Sequence, residues 1–290
     1  MIFLELSVVG GDLRIVKLIE MLAKEKFLIY TYAIENADVL KEYEEVVELS
    51  SLNELQNSTE IIISGVPFSN NMQEVNDPFS DKKILVQDLF KNIQGKTLIA
   101  GSISPNVESL AKQYNIKVID LLKREELAVL NTISTAEGTI QIAMEETAKT
   151  IHGSNVLVMG FGRIGKILCK MLSGIGAKVY AEARKNEDIA WIKAYGYNAI
   201  YLNELKETLG QYDIIINTIP SLILNREYLS NVRQDALIID IASTPGGVDR
   251  QAAKELGIRS ILALSLPGKV APITSAEFIK ETLNHILKEL

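Results

Sequence analysis

A single cysteine, Cys169, and only two histidines, His152 and His285, stand among 290 residues. One cysteine makes an internal disulfide impossible and fits a reducing compartment. Set in an apolar stretch with helical spacing, it reads as a small buried hydrophobe. With so few His and Cys, no cluster has metal-ligand spacing, and no metal is expected. Neither histidine adjoins a motif that a site would need, so both read as structural or surface residues. Uninterrupted apolar runs never approach the roughly 20 residues of a membrane span. The opening MIFLELSVV carries Glu5 but no basic leader and no cleavage-like site, and reads as a strand rather than a signal peptide. Basic residues are in the minority, 30 Lys and Arg against 37 Asp and Glu for a net charge of −7, without long runs of either sign. That balance argues against a nucleic-acid surface. The expectation is a cytoplasmic protein whose partners include neither nucleic acid nor membrane.

What the chain does have is a β/α alternation, repeated. Hydrophobic residues make up 47% and charged residues 23%, ordinary values for a chain that buries real cores. The length is a little under twice a domain of roughly 150 residues, which suggests two. In the first half, strand-like runs start at LELSVV and recur at 27–33, 60–67, 96–102 and 116–121, with helical stretches between them and an irregular loop over 70–82. In the second half they fall at 155–160, 177–182, 199–202, 213–218, 236–242 and 259–264. Most are continuous Val/Ile/Leu runs, as strands covered on both faces must be. The fold class is therefore α/β, two doubly wound parallel-sheet lobes. A first lobe spans 1–134, and a long amphipathic linking helix spans 135–152. The coenzyme lobe covers 153–271, and a closing helix over 272–290 is expected to pack back on the first lobe.

The stretch VLVMGFGRIGKIL carries the most specific signal. Gly160, Gly162 and Gly165 follow a buried strand and open a helix pattern, as the dinucleotide fingerprint requires. The first glycine serves the tight turn, the second the approach of backbone to pyrophosphate, and the third close packing of helix on strand. Phe161, Arg163 and Ile164 complete the turn, and Arg163 could add a charge-assisted contact to phosphate. Glu182 lies 22 residues after Gly160, where an acid favours NAD by bonding the ribose 2′-hydroxyl; Arg184 and Lys185 follow at once and suit the 2′-phosphate of NADP. NADP is slightly favoured over NAD, with Glu182 turned outward. The alternative is that the Glu–Arg–Lys group is only a solvated loop.

Two lobes with GFGRIG in the second resemble the D-2-hydroxyacid dehydrogenases, but neither histidine stands where that family's acid/base does. Across essentially the whole chain the sequence is more similar to the dipicolinate synthase A-chain family of spore-forming bacteria. That resemblance is carried by VVGGDLR, NTISTAEGTIQIAMEE, VMGFGRIG, INTIPSLILN, DIASTPGGVD and LPGKVAPITS. It implies NAD(P)-dependent oxidation of dihydrodipicolinate to pyridine-2,6-dicarboxylate, beside a flavoprotein-like second subunit, in the mother cell of a sporulating bacterium. A hydroxyacid dehydrogenase-like enzyme and a non-catalytic dinucleotide-binding subunit are the rival readings. Self-association is left open.

Ligands of open α/β sheets bind at the carboxyl ends of the strands, where several of these motif residues fall. Arg14 is the first choice for a substrate carboxylate by bidentate pairing, with Asp12 either beside it or serving as a helix N-terminal acid. Ser64 and Ser102 end first-lobe strands and either line the site or pack loops. Glu137, near the start of the predicted linking helix, is the candidate proton acceptor, or else a dipole-stabilising acid behind a Ser134 or Thr135 cap. Thr218, Ile219 and Pro220 are expected to wall the nicotinamide ribose, as is Ser243; Gly246 and Gly247 allow close backbone approach for the substrate. Lys269 faces the dicarboxylate or is a surface lysine in a stiff loop.

Overall fold

In the computed structural model, residues 5–290 are described; Leu4, with which the predicted first strand begins, lies outside them. The chain divides into two units, the first Met1–Ala128 with Ala271–Leu290, the second Val129–Val270.

The first unit begins with β1 (Glu5–Val9), α1 (Leu13–Lys24), β2 (Leu28–Tyr32), β3 (Val46–Glu48) and β4 (Ile61–Ser64). It continues through α2 (Val86–Asn92), β5 (Thr97–Ala100), α3 (Pro105–Gln113) and β6 (Lys117–Asp120). The sheet is parallel in the order β3-β2-β1-β4-β5-β6, so the chain reverses direction across the sheet between β1 and β4. The short edge strand β3 has no counterpart among the predicted runs. It is three residues long and mostly exposed, as edge strands tend to be, and its VVE carries too little periodicity to stand out.

The unit boundary falls within α4 (Glu125–Glu146). This is the linking helix, and it starts ten residues before the predicted 135 and stops six before 152. Glu125 and Glu126 occupy the first turn, where acids suit the helix dipole. Thr135, read as a cap, instead donates its hydroxyl to the carbonyl of Asn131 one turn back, as a threonine inside a helix does.

Six strands of the second unit match the six predicted runs: β7 (Asn155–Met159), β8 (Lys178–Ala183), β9 (Asn198–Tyr201), β10 (Ile214–Asn217), β11 (Leu237–Asp240) and β12 (Arg259–Leu262). Between them lie α5 (Arg163–Ile175), α6 (Asn186–Ala194), α7 (Leu205–Thr208), α8 (Arg226–Leu229) and α9 (Arg250–Glu255), and α10 (Leu266–Val270) follows β12. The order β12-β11-β10-β7-β8-β9 places the switch point between β7 and β10. IIIN of β10 and LIID of β11 are buried throughout, which accounts for their unbroken apolar character.

The last helix, α11 (Pro272–Glu289), belongs to the first unit and packs on α1. Ala276, Ile279, Leu283 and Ile286 share one core with Ile15, Leu18 and Leu22, each large side chain contributing about 1.5–3 kcal/mol. Arg124 pairs in bidentate fashion with Glu289 at 2.7 and 2.8 Å, tying the end of α11 to the start of α4.

Candidate functional site

In the second unit the glycine turn joins the end of β7 to the N-terminus of α5. Gly160 leaves β7 with φ +89°, and a Cβ there would lie 2.5 Å from the hydroxyl oxygen of Thr218. Gly165 lies so close under the strand end that a Cβ would stand 2.0 Å from the carbonyl oxygen of Gly160. Gly162 is the opposite case: its Cβ direction meets nothing within 4 Å. It is the N-cap of the 13-residue α5 and makes no side-chain cap. The first turn of α5 therefore presents backbone N–H groups and the positive end of its dipole to open space, where a pyrophosphate fits. Phe161 is buried beneath the turn, with the Lys166 ammonium 5.8 Å above its ring, while Arg163 is exposed and Ile164 packs partly into the core.

Glu182 requires a correction: its side chain turns inward and is fully buried. Register explains why. Glu182 pairs with Met159, Met159 with Asn217, and Asn217 with Asp240, so these four residues form one row across the strand ends and share a sheet face. Ala183, the next residue, points the other way into the core with Val158 and Leu168. One Glu182 oxygen, Oε2, accepts the N–H of Gly160 at 3.2 Å, and the other, Oε1, is buried without a partner. Burial pushes this carboxyl above its ordinary value of 4.5, opposed by the Gly160 N–H and by Arg184. The raised value means that the folded state binds the proton more tightly than the unfolded chain. Wild-type stability from this group is therefore fully present below pH 4.5 and is lost as pH rises through the folded value. Glu182→Gln, which still accepts from Gly160 but carries no charge, is expected to raise the midpoint of thermal unfolding at pH 7. That advantage should vanish at about pH 4 in parallel melts, and an advantage independent of pH would contradict the assignment.

Arg184 and Lys185 remain exposed past the end of β8. Arg184 lines a shallow depression with Tyr201, Leu202, Asn203 and Tyr228, and Lys185 pairs with Glu187 at 3.3 Å.

Three loop residues meet the turn from the other side of the switch point. Thr218 donates its hydroxyl to the carbonyl of Met159 at 2.8 Å, and Ile219 touches the Cβ position of Gly160. Pro220 is exposed. The loop after β11 follows: Ser243 is exposed, Gly246 and Gly247 are buried. What holds this loop is Asp240, a residue absent from the sequence-based candidates. Its carboxylate accepts from the Asn217 side-chain amide at 2.8 Å, from the Gly247 N–H at 3.0 Å and from the Ala242 N–H at 3.3 Å. Asn217 in turn accepts the N–H of Ile219 and donates to its carbonyl. A signal existed in the sequence, since a polar residue closes each of the runs IIIN and LIID, where a fully buried strand has no apolar reason for one.

Glu137 is exposed midway along α4, beside Ile140, Met144, Met171 and Ile175 on an apolar groove, and so is neither a first-turn acid nor behind a cap. Lys269 is exposed on α10, a short helix where a stiff loop was expected. In the first unit, Asp12 caps α1 by accepting the N–H of Arg14, and it also takes the Arg14 guanidinium at 2.6 Å. Arg14 is buried, and its Nη2, which also bonds Asp12, donates to the carbonyl of Val66. Ser64 is buried and donates to the carbonyl of Val9. Ser102 stays exposed, its N–H donated to Asp120, which also accepts from Ile103 and Leu122. Both histidines are exposed, and burial pushes the Cys169 thiol up to about 12, which leaves it unreactive.

Residues 5–122 match the family model of the N-terminal domain of the dipicolinate synthase A chain, and residues 127–255 that of the D-isomer specific 2-hydroxyacid dehydrogenase NAD binding domain. The crystal structure of the dipicolinate synthase A chain from Bacillus subtilis is similar with a TM-score of 0.90, at 34% identity over 100% of this chain and 97% of that one. The dipicolinate synthase A chain from Bacillus halodurans also gives 0.90, at 29% identity over 98% and 97% of the two chains. The transhydrogenase of Sinorhizobium meliloti, at 15% identity and a TM-score of 0.72 over 98% and 93%, shares the fold alone. In sequence, the dipicolinate synthase A chain of Bacillus subtilis (strain 168) is 34% identical over 290 residues, 99% of this chain and 97% of that protein, and on that likeness the chain belongs to the dipicolinate synthase A-chain family.

Proposed function

We propose that the chain is the nicotinamide-dependent oxidoreductase subunit of a dipicolinate synthase. In this reading it takes a hydride from dihydrodipicolinate and leaves the aromatic pyridine-2,6-dicarboxylate, with NADP as the acceptor. It works beside a second, flavoprotein-like subunit in the mother-cell cytoplasm of a sporulating bacterium. The single observation behind this reading is the full-length likeness to the dipicolinate synthase A chain of Bacillus subtilis, joined to a glycine turn whose second glycine faces open space.

The chemistry suits the residues at hand. Removing a hydride and a proton from a dihydropyridine creates an aromatic ring, so the step needs a weaker base than alcohol oxidation does. A protein with both histidines exposed is not at a disadvantage there. When bound, the cofactor accepts the hydride; the protein binds the pyrophosphate at α5, walls the ring with Thr218 and Ile219, and positions the reactants. The choice of NADP rests on the end of β8. Glu182 is turned into the sheet, Ala183 is small, and Arg184 and Lys185 stay outside, which suits a 2′-phosphate rather than an acid-bound 2′-hydroxyl.

Absorbance at the reduced-nicotinamide band, followed when dihydrodipicolinate and NADP+ are mixed with the chain, tests the reaction. Growth of the band with the second subunit present supports it; no growth with or without that subunit sinks it. Arg184→Ala is expected to weaken NADPH binding about ten-fold while leaving NADH within about two-fold, since one charge-assisted phosphate contact carries that difference. Equal loss of both would return the preference to NAD.

A further inference from the structure

Asp240 is buried, with 3% of its surface exposed, at the carboxyl end of β11, and its three hydrogen bonds all come from N–H donors. Three donors and no acceptor form the environment of an ionised carboxylate. Among the described residues it makes no ion pair, so its charge is offset by dipoles alone. Its place in the sheet gives that charge a consequence. A dinucleotide whose pyrophosphate rests on α5, after β7, and whose adenosine end follows β8 must lay its nicotinamide end over β10 and β11 on the other side of the switch point. The ends of those two strands are Asn217 and Asp240, paired in register.

On the reading of a bound nicotinamide dinucleotide, we propose that Asp240 is a specificity-determining residue that makes the site prefer the oxidised cofactor. The oxidised nicotinamide ring carries a full positive charge and the reduced ring none. A buried carboxylate without a cation beside it therefore attracts one redox state and not the other, and burial keeps that attraction from being screened. The same residue positions the ring's walls. Through the Asn217 amide and the Gly247 N–H it joins the loop after β10 to the loop after β11. The hydrogen bonds do the positioning and the charge does the selecting, and the two roles separate experimentally.

Dissociation constants of NADP+ and NADPH for the full chain, by fluorescence titration, test the idea without any turnover. Asp240→Asn keeps the size and removes the charge. It is expected to weaken NADP+ about ten-fold or more, while NADPH shifts by less than about three-fold. Asn217→Leu, which cuts the tie between the loops and leaves the charge, should weaken both forms alike. Equal weakening of both forms by Asp240→Asn, or no change in either, would mean that the carboxylate is structural only and would overturn the proposal. Should Asp240→Asn not fold, the wild-type chain still decides: NADP+ bound at least as tightly as NADPH agrees, and a preference of about ten-fold or more for NADPH overturns it. A wild-type chain that binds neither form, and neither NAD+ nor NADH, overturns the dinucleotide reading itself, an outcome distinct from binding without redox preference.

Discussion

Gly165→Ala is expected to cost about 3 kcal/mol of stability, and with it the folded glycine turn. The added methyl would stand 2.0 Å from the carbonyl oxygen of Gly160 and 3.0 Å from its carbon. Backbone is in the way, so no side chain can rotate aside. Gly160 cannot retreat either, because its N–H is held by the carbonyl of Glu182 at 3.1 Å and by that residue's carboxylate. In a unit of this size the cost corresponds to a fall of roughly 10 °C in the melting midpoint. The same substitution three residues earlier should behave in the opposite way. Gly162→Ala places a methyl in open space on ordinary backbone, φ −81°, and is expected to cost only about 0.5–1 kcal/mol, the difference between glycine and alanine at an N-cap. Its effect should fall on ligand binding, with dinucleotide affinity lowered about ten-fold or more, because backbone must approach the pyrophosphate at that point. Thermal melts and cofactor titrations on the two variants check both halves. A stable Gly165→Ala would show that helix and strand are not packed as described, and a Gly162→Ala with unchanged affinity would remove the pyrophosphate from this turn.

Arg14→Ala is expected to destabilise the first unit by about 2–3 kcal/mol. The guanidinium is buried, bidentate on Asp12 through Nε to Oδ1 and Nη2 to Oδ2, and bonded to the Val66 carbonyl, and its loss leaves an acid and a carbonyl short of a donor. The figure lies below that for a fully buried pair because the Asp12 side chain is 26% exposed and water partly replaces the lost partner. Arg14→Lys should recover little, since a point charge cannot span two carboxylate oxygens and a carbonyl together. Urea denaturation of the three proteins gives the answer. The sequence alone suggested that Arg14 reads a substrate carboxylate. Unchanged stability with a raised KM for the dicarboxylate would restore that role and disprove the clamp.

These two residues also mark where reading the sequence works and where it stops. The glycine turn could be read because every requirement is local: a buried strand, three glycines at fixed spacing, and a helix stripe, all within Val156 to Leu172. The partners of Arg14 could not be, because Val66 stands 52 residues away and only the pairing of β1 with β4 brings the two together. Glu182 shows the same limit on a smaller scale. Its distance from Gly160 along the chain was right for an acid at the ribose, yet strand alternation sends its side chain to the opposite face, and a shift of one residue decides the matter. The start of α4 was misplaced for a different reason. Ser134 and Thr135 look like caps from their chemistry, but inside a continuing helix a threonine hydroxyl simply bonds back to the preceding turn.

Apolar periodicity and glycine spacing thus determined, without help from tertiary structure, that the chain forms two β/α series and where in the second a glycine turn opens a helix. Both are properties of neighbouring residues. Only the folded sheets decided which polar groups are spoken for. Asp120 collects the N–H groups of Ser102 and Ile103, and Asp240 those of Asn217 and Gly247, across 18 and 17 residues in one case and 23 and 7 in the other. A buried carboxylate takes whatever donors the strand order delivers to it, and strand order is set by the packing of whole sheets rather than by any short stretch of sequence.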